Sequence, residues 1–177
     1  MRHKQPSGIT ALELLVTMAI IAVLLASGVP AIKNYSWNLR LRSAMDLLHT
    51  DLNLARGRAI GDNIQTVICP ANNTLHCSGD SAWQNGWIVF TDINADRRRQ
   101  TTEPLLKHTG AIESLNINSS RSRNSLRFYP NGSAPGSNTS IVFCDTRGAV
   151  HAGKISVSNS GRIRQATGGI SPTENCP

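Results

Sequence analysis

The sequence predicts an α+β protein in which one long N-terminal α-helix, apolar in its first half, packs on an antiparallel β-sheet head. Three observations support this prediction. Residues 9–29 are almost wholly apolar, residues 41–59 repeat apolar side chains at helical spacing, and the remainder consists of short β-type runs between Gly-, Ser- and Asn-rich turns. At 177 residues the chain has room for one ordinary domain in addition to a helical stem.

The first eight residues, MRHKQPSG, form a short basic leader. A secretory signal peptide carries its small-residue cleavage site after the apolar stretch, whereas Ser7 and Gly8 come before it. An apolar run of about 20 residues can span a bilayer as a helix, and the basic leader predicts a cytoplasmic N-terminus. We therefore expect a cleaved leader at 1–8 and a membrane-spanning helix at 9–30.

Glu13 is a carboxylate inside this apolar run. An acidic group within a membrane helix is costly and indicates a partner. Cleavage between Gly8 and Ile9 would create an α-amino group one helical turn away, on the same subunit or on a neighbour in a filament. The competing interpretation is an ordinary signal anchor with an isolated acid near its end.

Gly8, Ile9 and Glu13 together resemble the processing signal of type IV pilins and type II secretion pseudopilins. That resemblance implies cleavage after Gly8 by a prepilin peptidase, N-methylation of the new terminus and assembly with other pilins. Ile9 departs from the family pattern, which usually has Phe at this position. Pro30 falls where many pilin helices carry a bend-forming proline.

The second half of the stem, residues 31–60, is predicted to be an amphipathic helix that packs on the head, residues 61–177. It continues to about Arg58, and the Gly-Asp-Asn at 61–63 is a credible stop signal. The apolar stripe is far more often core than a cofactor site. Its members are Leu41, Met45, Leu48, Leu52, Ala55 and Ala59.

Eight short strands are predicted in the head, with residues 159–161 as the tip of a final hairpin. They are residues 66–69, 86–90, 104–107, 114–117, 125–129, 141–144, 154–158 and 162–165.

All four cysteines lie beyond the apolar segment, and an even number in an exported domain predicts two disulfides with three possible connectivities. We favour Cys69–Cys77, which closes a short loop, and Cys144–Cys176, which pins the C-terminal tail to a strand. A zinc site is not expected, because no C-x-x-C pair is present.

The head resembles the FimT/GspH branch of minor pilins and pseudopilins. The segments that carry this resemblance are residues 67–70 (VICP), 86–92 (GWIVFTD), 126–132 (LRFYPNG) and 160–164 (SGRIR). Together with the stem they cover most of the chain. In the FimT branch, the Gly-Arg-x-Arg element resembles the DNA-binding tail of pilins used in natural transformation.

Gly161, Arg162 and Arg164 are the main candidate site. Residues two apart on a strand face the same side, so the two arginines would project together while Ile163 packs inward. Guanidinium groups offer planar forks of donors that suit phosphate oxygens. Without the resemblance, two arginines on a strand are more simply a solvated face. Further basic residues could widen the footprint: Lys154, Arg147, Arg121 and Arg123.

The net charge of +7 is compatible with a polyanionic partner but also with mere solubility. Because no aromatic residue lies near the tail, stacking on single-stranded bases has little support, and double-stranded DNA held by its backbone is the expected ligand.

The stretch from Asp92 to Glu103 mimics the ligand spacing of an EF-hand loop, with Asn94 and Asp96 between them. Arg97 replaces the required glycine and, with Arg98 and Arg99, adds three cations, so we expect turns rather than a metal site. No nucleophile elbow, P-loop or metal-binding helix is present. We therefore predict no catalytic residue and no cofactor, and a protein that is not an enzyme.

The favoured hypothesis is a minor type IV pilin that binds extracellular double-stranded DNA for uptake in natural transformation. It would sit in the inner membrane with a periplasmic head and reach the cell surface after assembly into the pilus. The alternative is a structural minor pilin or a GspH-like pseudopilin that primes or caps a filament without binding DNA.

Overall fold

The computed structural model describes residues 10–71, 75–120, 123–168 and 176. One helix, α1, runs from Ala11 to Gly61. The chain divides into two compact units, residues 1–38 and 39–177, and each is described by itself. The leader and the cleavage position, including Gly8 and Ile9, lie outside the described residues.

In the first unit, α1 begins just after Thr10, whose hydroxyl oxygen accepts a hydrogen bond of 3.3 Å from the backbone N–H of Glu13. The helix continues through Pro30. Its large apolar side chains are exposed, with Leu12 at 74% and Val23 at 69%. By length and composition, α1 is the one described helix that is long and apolar enough to cross a membrane.

In the second unit, the remaining part of α1 buries one face against the head. All six residues of the predicted stripe are buried, and so are Ala44 and Asp51. The intervening polar residues, among them Arg42, Asp46 and Asn53, are exposed. The helix ends at Gly61, and Asn63 follows with a φ of 54°, so the predicted stop signal is confirmed.

The described part of the head contains eight strands, each within two residues of its predicted bounds. They are β1 (Thr66–Pro70), β2 (Trp87–Thr91), β3 (Leu105–Thr109), β4 (Asn116–Ser119), β5 (Leu126–Phe128), β6 (Thr139–Cys144), β7 (Gly153–Val157) and β8 (Ile163–Thr167). They form two four-stranded sheets, in the orders β3-β2-β1-β5 and β4-β6-β7-β8. All neighbouring strands are antiparallel.

The main core lies where α1 meets one face of each sheet. Trp87 and Phe128 come from the first sheet, Phe143 and Ile155 from the second, and all four are fully buried together with the helix stripe. Because both sheets contribute to one cluster, the hydrophobic effect holds the helix and the two sheets together.

Asp51 is a buried carboxylate within this core, only 2% exposed. Its Oδ2 accepts hydrogen bonds of 2.8 Å from Trp87 Nε1 and of 2.8 Å from the Thr109 hydroxyl. The two donors come from β2 and β3, so Asp51 joins α1 to adjacent strands of the first sheet.

Two disulfides link Cys69 to Cys77 and Cys144 to Cys176. The favoured connectivity is thereby confirmed. The second bridge spans 32 residues of sequence and encloses the whole of β7 and β8.

Candidate nucleic-acid interface

The predicted final hairpin is formed by β7 and β8. Val157 is opposite Ile163 and Ser156 is opposite Arg164. At the turn, the backbone N–H of Ser158 donates to the carbonyl of Arg162 (3.0 Å), and that of Gly161 donates to the carbonyl of Ser158 (2.8 Å). The tip is therefore a closed, hydrogen-bonded turn that fixes the backbone on which the two arginines stand.

Gly161 is the position on which this turn depends. It has a φ of +76°, in the left-handed region that glycine adopts without a steric penalty. A Cβ at this position would collide with the backbone carbonyl oxygen of Gly132. The same oxygen accepts a hydrogen bond of 2.9 Å from Arg56 Nε on α1. The turn thus packs against the loop that contains Gly132, and the hydrogen bond from Arg56 links that loop to the helix.

The two faces of β8 have different partners. Ile163 packs against the main core, and Gln165 Nε2 donates to Asp46 Oδ1 on α1 at 3.0 Å. Arg164 lies on the opposite face of β8 from Ile163, Arg162 directly precedes the strand, and both side chains are exposed. Within the described part of the chain, neither guanidinium group makes a hydrogen bond or an ion pair.

A polar groove of about 540 Å³ lies beside the arginine pair. Ser156 lines the groove; its Cα partners are Arg164 on β8 and Ser140 on β6, and the Ser140 and Ser156 hydroxyl oxygens are 3.3 Å apart. With strands about 4.8 Å apart, Arg164, Ser156 and Ser140 form a row about 10 Å long across the sheet. The remaining lining residues are Ser120, Asn138, Thr139, Val157, Ser158 and Asn159.

Arg123 adjoins the same groove. Its Nη1 donates to the carbonyl of Gly136 (2.7 Å), and its Nη2 lies 3.4 Å from Oδ1 of Asn138, which lines the groove. Basic residues from two distant segments therefore neighbour the lining of the groove: Arg164, opposite Ser156 in the final hairpin, and Arg123, beside Asn138. Hydroxyl, amide and guanidinium donors are the groups that proteins use to contact phosphate and sugar.

The other predicted site residues are placed differently. Lys154 lies on the outward face of β7, two residues from Ser156, and is half-buried with contacts of its own. Arg147 forms an ion pair with Asp145, with 2.6 Å between Nη2 and Oδ2. Arg121 lies outside the described residues.

The Asp145–Arg147 pair is largely buried, since the Asp145 side chain is fully covered and that of Arg147 is 14% exposed. Burial alone would raise the pKa of Asp145, but the hydrogen bonds and positive charge of Arg147 outweigh it, so the pKa is lowered. Arg147 thus stabilises an ionised carboxylate just after β6.

The EF-hand-like stretch forms a loop that is tied together by its own acidic side chains. The backbone N–H of Arg97 donates to Asp92 Oδ2 (3.1 Å), and Glu103 accepts from the N–H groups of Ile93 (2.8 Å) and Gln100 (3.0 Å). Burial, with repulsion from Glu103, raises the pKa of Asp92. Within the described ranges, no three His, Cys, Asp or Glu side chains are arranged to hold a metal ion.

Sequence reasoning missed the groove and the support beneath Gly161. The groove is lined from the β4–β5 connection, the start of β6 and the end of β7, and no local pattern links these segments. The Asn-Gly pair at 131–132 was a visible turn signal, but its contact with Gly161 depends on the tertiary fold.

The long helix on antiparallel sheets defines the class as a pilin fold. The family model described as Type II transport protein GspH matches residues 44–161. The chain therefore belongs to the GspH family of minor pilins and pseudopilins. The matched region ends at Gly161, directly before Arg162.

Solved structures share this fold at low sequence identity. The type IV minor pilin FimU of Pseudomonas aeruginosa strain PAO1 matches in two crystal forms. One, in space group P21, has a TM-score of 0.59 and 18% identity, covering 81% of this chain and 96% of that chain. The other, in space group P65, has a TM-score of 0.57 and 20% identity, covering 71% of this chain and 92% of that chain.

The minor pseudopilin EpsH from the type 2 secretion system of Vibrio cholerae has a TM-score of 0.53 and 8% identity, covering 72% of this chain and 97% of that chain. No curated protein matched the sequence. At these identities the solved structures establish the fold, and they include both a pilus protein and a secretion-system protein.

Proposed function

We propose that the protein is a minor type IV pilin that binds extracellular double-stranded DNA through its phosphates, for uptake in natural transformation. The observation that carries this proposal is the placement of Arg162 and Arg164. Both side chains are exposed, that of Arg164 on β8 and that of Arg162 directly before the strand. They lack protein partners within the described residues and adjoin a groove lined by hydroxyl and amide groups.

Each guanidinium can offer two parallel N–H donors to one phosphate. Serine and asparagine donors beside them add contacts that position a backbone without reading its sequence. The expected binding is therefore independent of DNA sequence and falls steeply with salt, because each neutralised phosphate releases counterions. Arg123 and Lys154 extend this surface.

The N-terminal part supplies assembly in this proposal. Cleavage after Gly8 by a prepilin peptidase exposes the amino group of Ile9, which pairs with Glu13 of the same or a neighbouring subunit. Before assembly, the apolar helix anchors the protein in the inner membrane with the head in the periplasm; afterwards the protein is in a surface pilus. Pilins are structural subunits of filaments, and no enzymatic step is proposed.

The test is DNA binding by the purified full chain in a non-ionic detergent, measured by fluorescence anisotropy on unrelated duplexes from 50 to 200 mM salt. Arg162→Gln with Arg164→Gln should weaken binding at least tenfold and lower the salt slope by about 2, at about 0.9 per lost phosphate contact. Arg40→Gln with Arg42→Gln removes the same charge from α1 and should change binding far less. Unchanged binding in this double variant of Arg162 and Arg164, the tail variant, would show that these arginines are not the DNA-binding site.

The second candidate is a structural minor pilin or pseudopilin that primes or caps a filament without binding DNA. Membership of the GspH family and the likeness to EpsH are equally consistent with this candidate and with the first. It predicts no salt-sensitive DNA affinity in the wild-type chain. In cells, the tail variant separates the two: lost transformation with normal filaments favours DNA capture, and unaffected transformation favours the structural role.

A further inference from the structure

A second basic site lies on the β2–β3 loop. Three consecutive arginines, Arg97, Arg98 and Arg99, line a pocket of about 570 Å³. The other lining residues are His76, Cys77, Gly79, Asp96, Asn124 and Ser125. Concentrated positive charge in a concave surface with hydroxyl and amide neighbours matches the chemistry of a phosphate group.

The acidic side chains of the loop accept hydrogen bonds from backbone N–H groups, and in the described part of the chain they form no ion pairs with the three guanidinium groups. The N–H of Arg97 donates to Asp92, and the N–H of Arg98 donates to Asp96 Oδ1 at 2.7 Å. Asp92 and Glu103 are 1% and 4% exposed, beneath the surface of the loop. Within the described residues, no carboxylate lies within ion-pair distance of any of the three guanidinium groups.

The three arginines differ in what their side chains do. Arg99 is part of the wall, because its guanidinium donates to the carbonyls of Leu75 (3.3 Å) and Glu103 (3.4 Å). The side chains of Arg97 and Arg98 have no hydrogen-bond acceptor within the described chain. The one carboxylate that lines the pocket is Asp96, whose pKa is lowered by the N–H of Arg98, so it stays ionised and offsets one of three positive charges.

Arg97 has a φ of 62°, in the left-handed region where a side chain is disfavoured and glycine is not. The loop thus carries an arginine at a position where glycine fits with less strain.

The β4–β5 connection joins this pocket to the groove beside the tail. The groove is lined by Ser120 and by Asn138, whose side-chain oxygen accepts from Arg123. Asn124 lines the pocket and donates through Nδ2 to the carbonyl of Gly79 at 3.0 Å. Ser120 and Asn124 are four residues apart, a distance of at most about 14 Å. A duplex carries one phosphate charge per about 1.7 Å of its axis, so a surface of this length faces several phosphates.

We propose that the Arg97–Arg99 pocket is a second phosphate-binding site, which engages the backbone of the same DNA duplex that Arg162 and Arg164 contact. This inference rests on the proposed function. It assigns the duplex a track that runs from the final hairpin, through the serine-lined groove and past Arg123, to the β2–β3 loop.

The test compares variants of the full chain in non-ionic detergent on one 30-bp duplex, with affinity and salt slope measured by anisotropy. Arg97→Gln with Arg98→Gln should weaken binding about tenfold and reduce the salt slope by about 2. Arg97→Lys with Arg98→Lys keeps the charge and should retain most of the slope. Each variant should melt within about 2 °C of the wild type, because neither side chain supports the fold.

The charge-matched variant Arg40→Gln with Arg42→Gln is the control. An equal loss of slope in that control would overturn the proposal, since net charge alone would then explain the effect. Wild-type affinity and slope in Arg97→Gln/Arg98→Gln, together with lost binding in Arg162→Gln/Arg164→Gln, would also overturn it while leaving the proposed function intact. Absence of binding by the wild-type chain would overturn both.

Discussion

Gly161 lies directly against the backbone carbonyl group of Gly132, and each residue has a φ of +76°. Two loops far apart in sequence therefore meet through glycines, with Arg56 of α1 bonded to the same carbonyl oxygen. The contact fixes the position of the arginine-bearing hairpin relative to the helix, and it makes Gly161 sensitive to substitution for two separate reasons.

Gly161→Ala is expected to be strongly destabilising. Alanine would have to adopt the left-handed φ of this position, which is unfavourable for a residue with a Cβ. Its Cβ would also have to displace the Gly132 carbonyl, and such overpacking costs about 1–3 kcal/mol beyond the φ penalty. Gly136→Ala is the matched control, since Gly136 has a φ of +70° but open space around its Cβ position. Urea unfolding should show the larger loss for position 161. Equal losses would mean that the contact with Gly132 does not constrain the turn.

Asp145→Asn is expected to destabilise the head in a pH-dependent manner. The folded-state pKa of Asp145 is lowered from its ordinary 3.8, so the ionised form contributes stability above that value and loses it as pH falls through the folded pKa. The free energy of unfolding of the wild type should exceed that of the variant by about 1–3 kcal/mol at pH 7. The two should converge once the pH has fallen below the lowered pKa of Asp145. A gap that persists there would indicate that the Asn substitution acts through packing.

Asp51→Ala is expected to cost about 3 kcal/mol in the free energy of unfolding. The substitution leaves the Trp87 indole N–H and the Thr109 hydroxyl without their acceptor in the core. Asp51→Asn keeps an acceptor oxygen in the same place and should cost less than half as much. Denaturant unfolding of the two variants decides the point: similar losses would show that the carboxylate's charge, not its acceptor geometry, matters.

The two disulfides are expected to contribute unequally. Loop-closure entropy gives about 2.5 kcal/mol for a loop of about 8 residues and about 3.7 kcal/mol for one of about 32. The double variant Cys144→Ser/Cys176→Ser should therefore lose about 1 kcal/mol more stability than Cys69→Ser/Cys77→Ser. Calorimetry on the oxidised proteins measures this difference. The reverse order would show that burial of Cys69, which is fully covered, outweighs the entropy of the longer loop.

Local patterns in the sequence were sufficient to predict the elements of this fold. The stripe from Leu41 to Ala59 repeats at helical spacing, and its burial follows from that pattern. Each strand is bounded by turn residues, and the spacing of the cysteines favoured the pairing that the structure shows. Alternation along the predicted strand gave the inward packing of Ile163 and the exposure of Arg164. The strand begins at Ile163, so Arg162 lies directly before it rather than within it.

Long-range contacts could not be predicted in this way. The division into two sheets depends on pairings such as β1 with β5 and β4 with β6, which join segments that share no local signal. Arg147 was grouped with Arg123 as a DNA-binding candidate. Asp145 is its near neighbour in sequence, but the burial that turns the two into an ion pair depends on the tertiary fold. Asp51 seemed an ordinary polar helix residue, because its two donors lie 36 and 58 residues further along the chain.

The contact of Gly161, Gly132 and Arg56 has a mechanical consequence. In the proposed function, DNA held at the tip of the hairpin and pulled by the filament would load the head between that tip and the helix. The tip packs against the Gly132 carbonyl, whose oxygen is hydrogen-bonded to Arg56 of α1. Force on the tip would therefore reach the helix through this contact as well as through the second sheet. The Cys144–Cys176 bridge closes a covalent ring around the hairpin, so tension at the tip is shared between the two arms of chain that leave it.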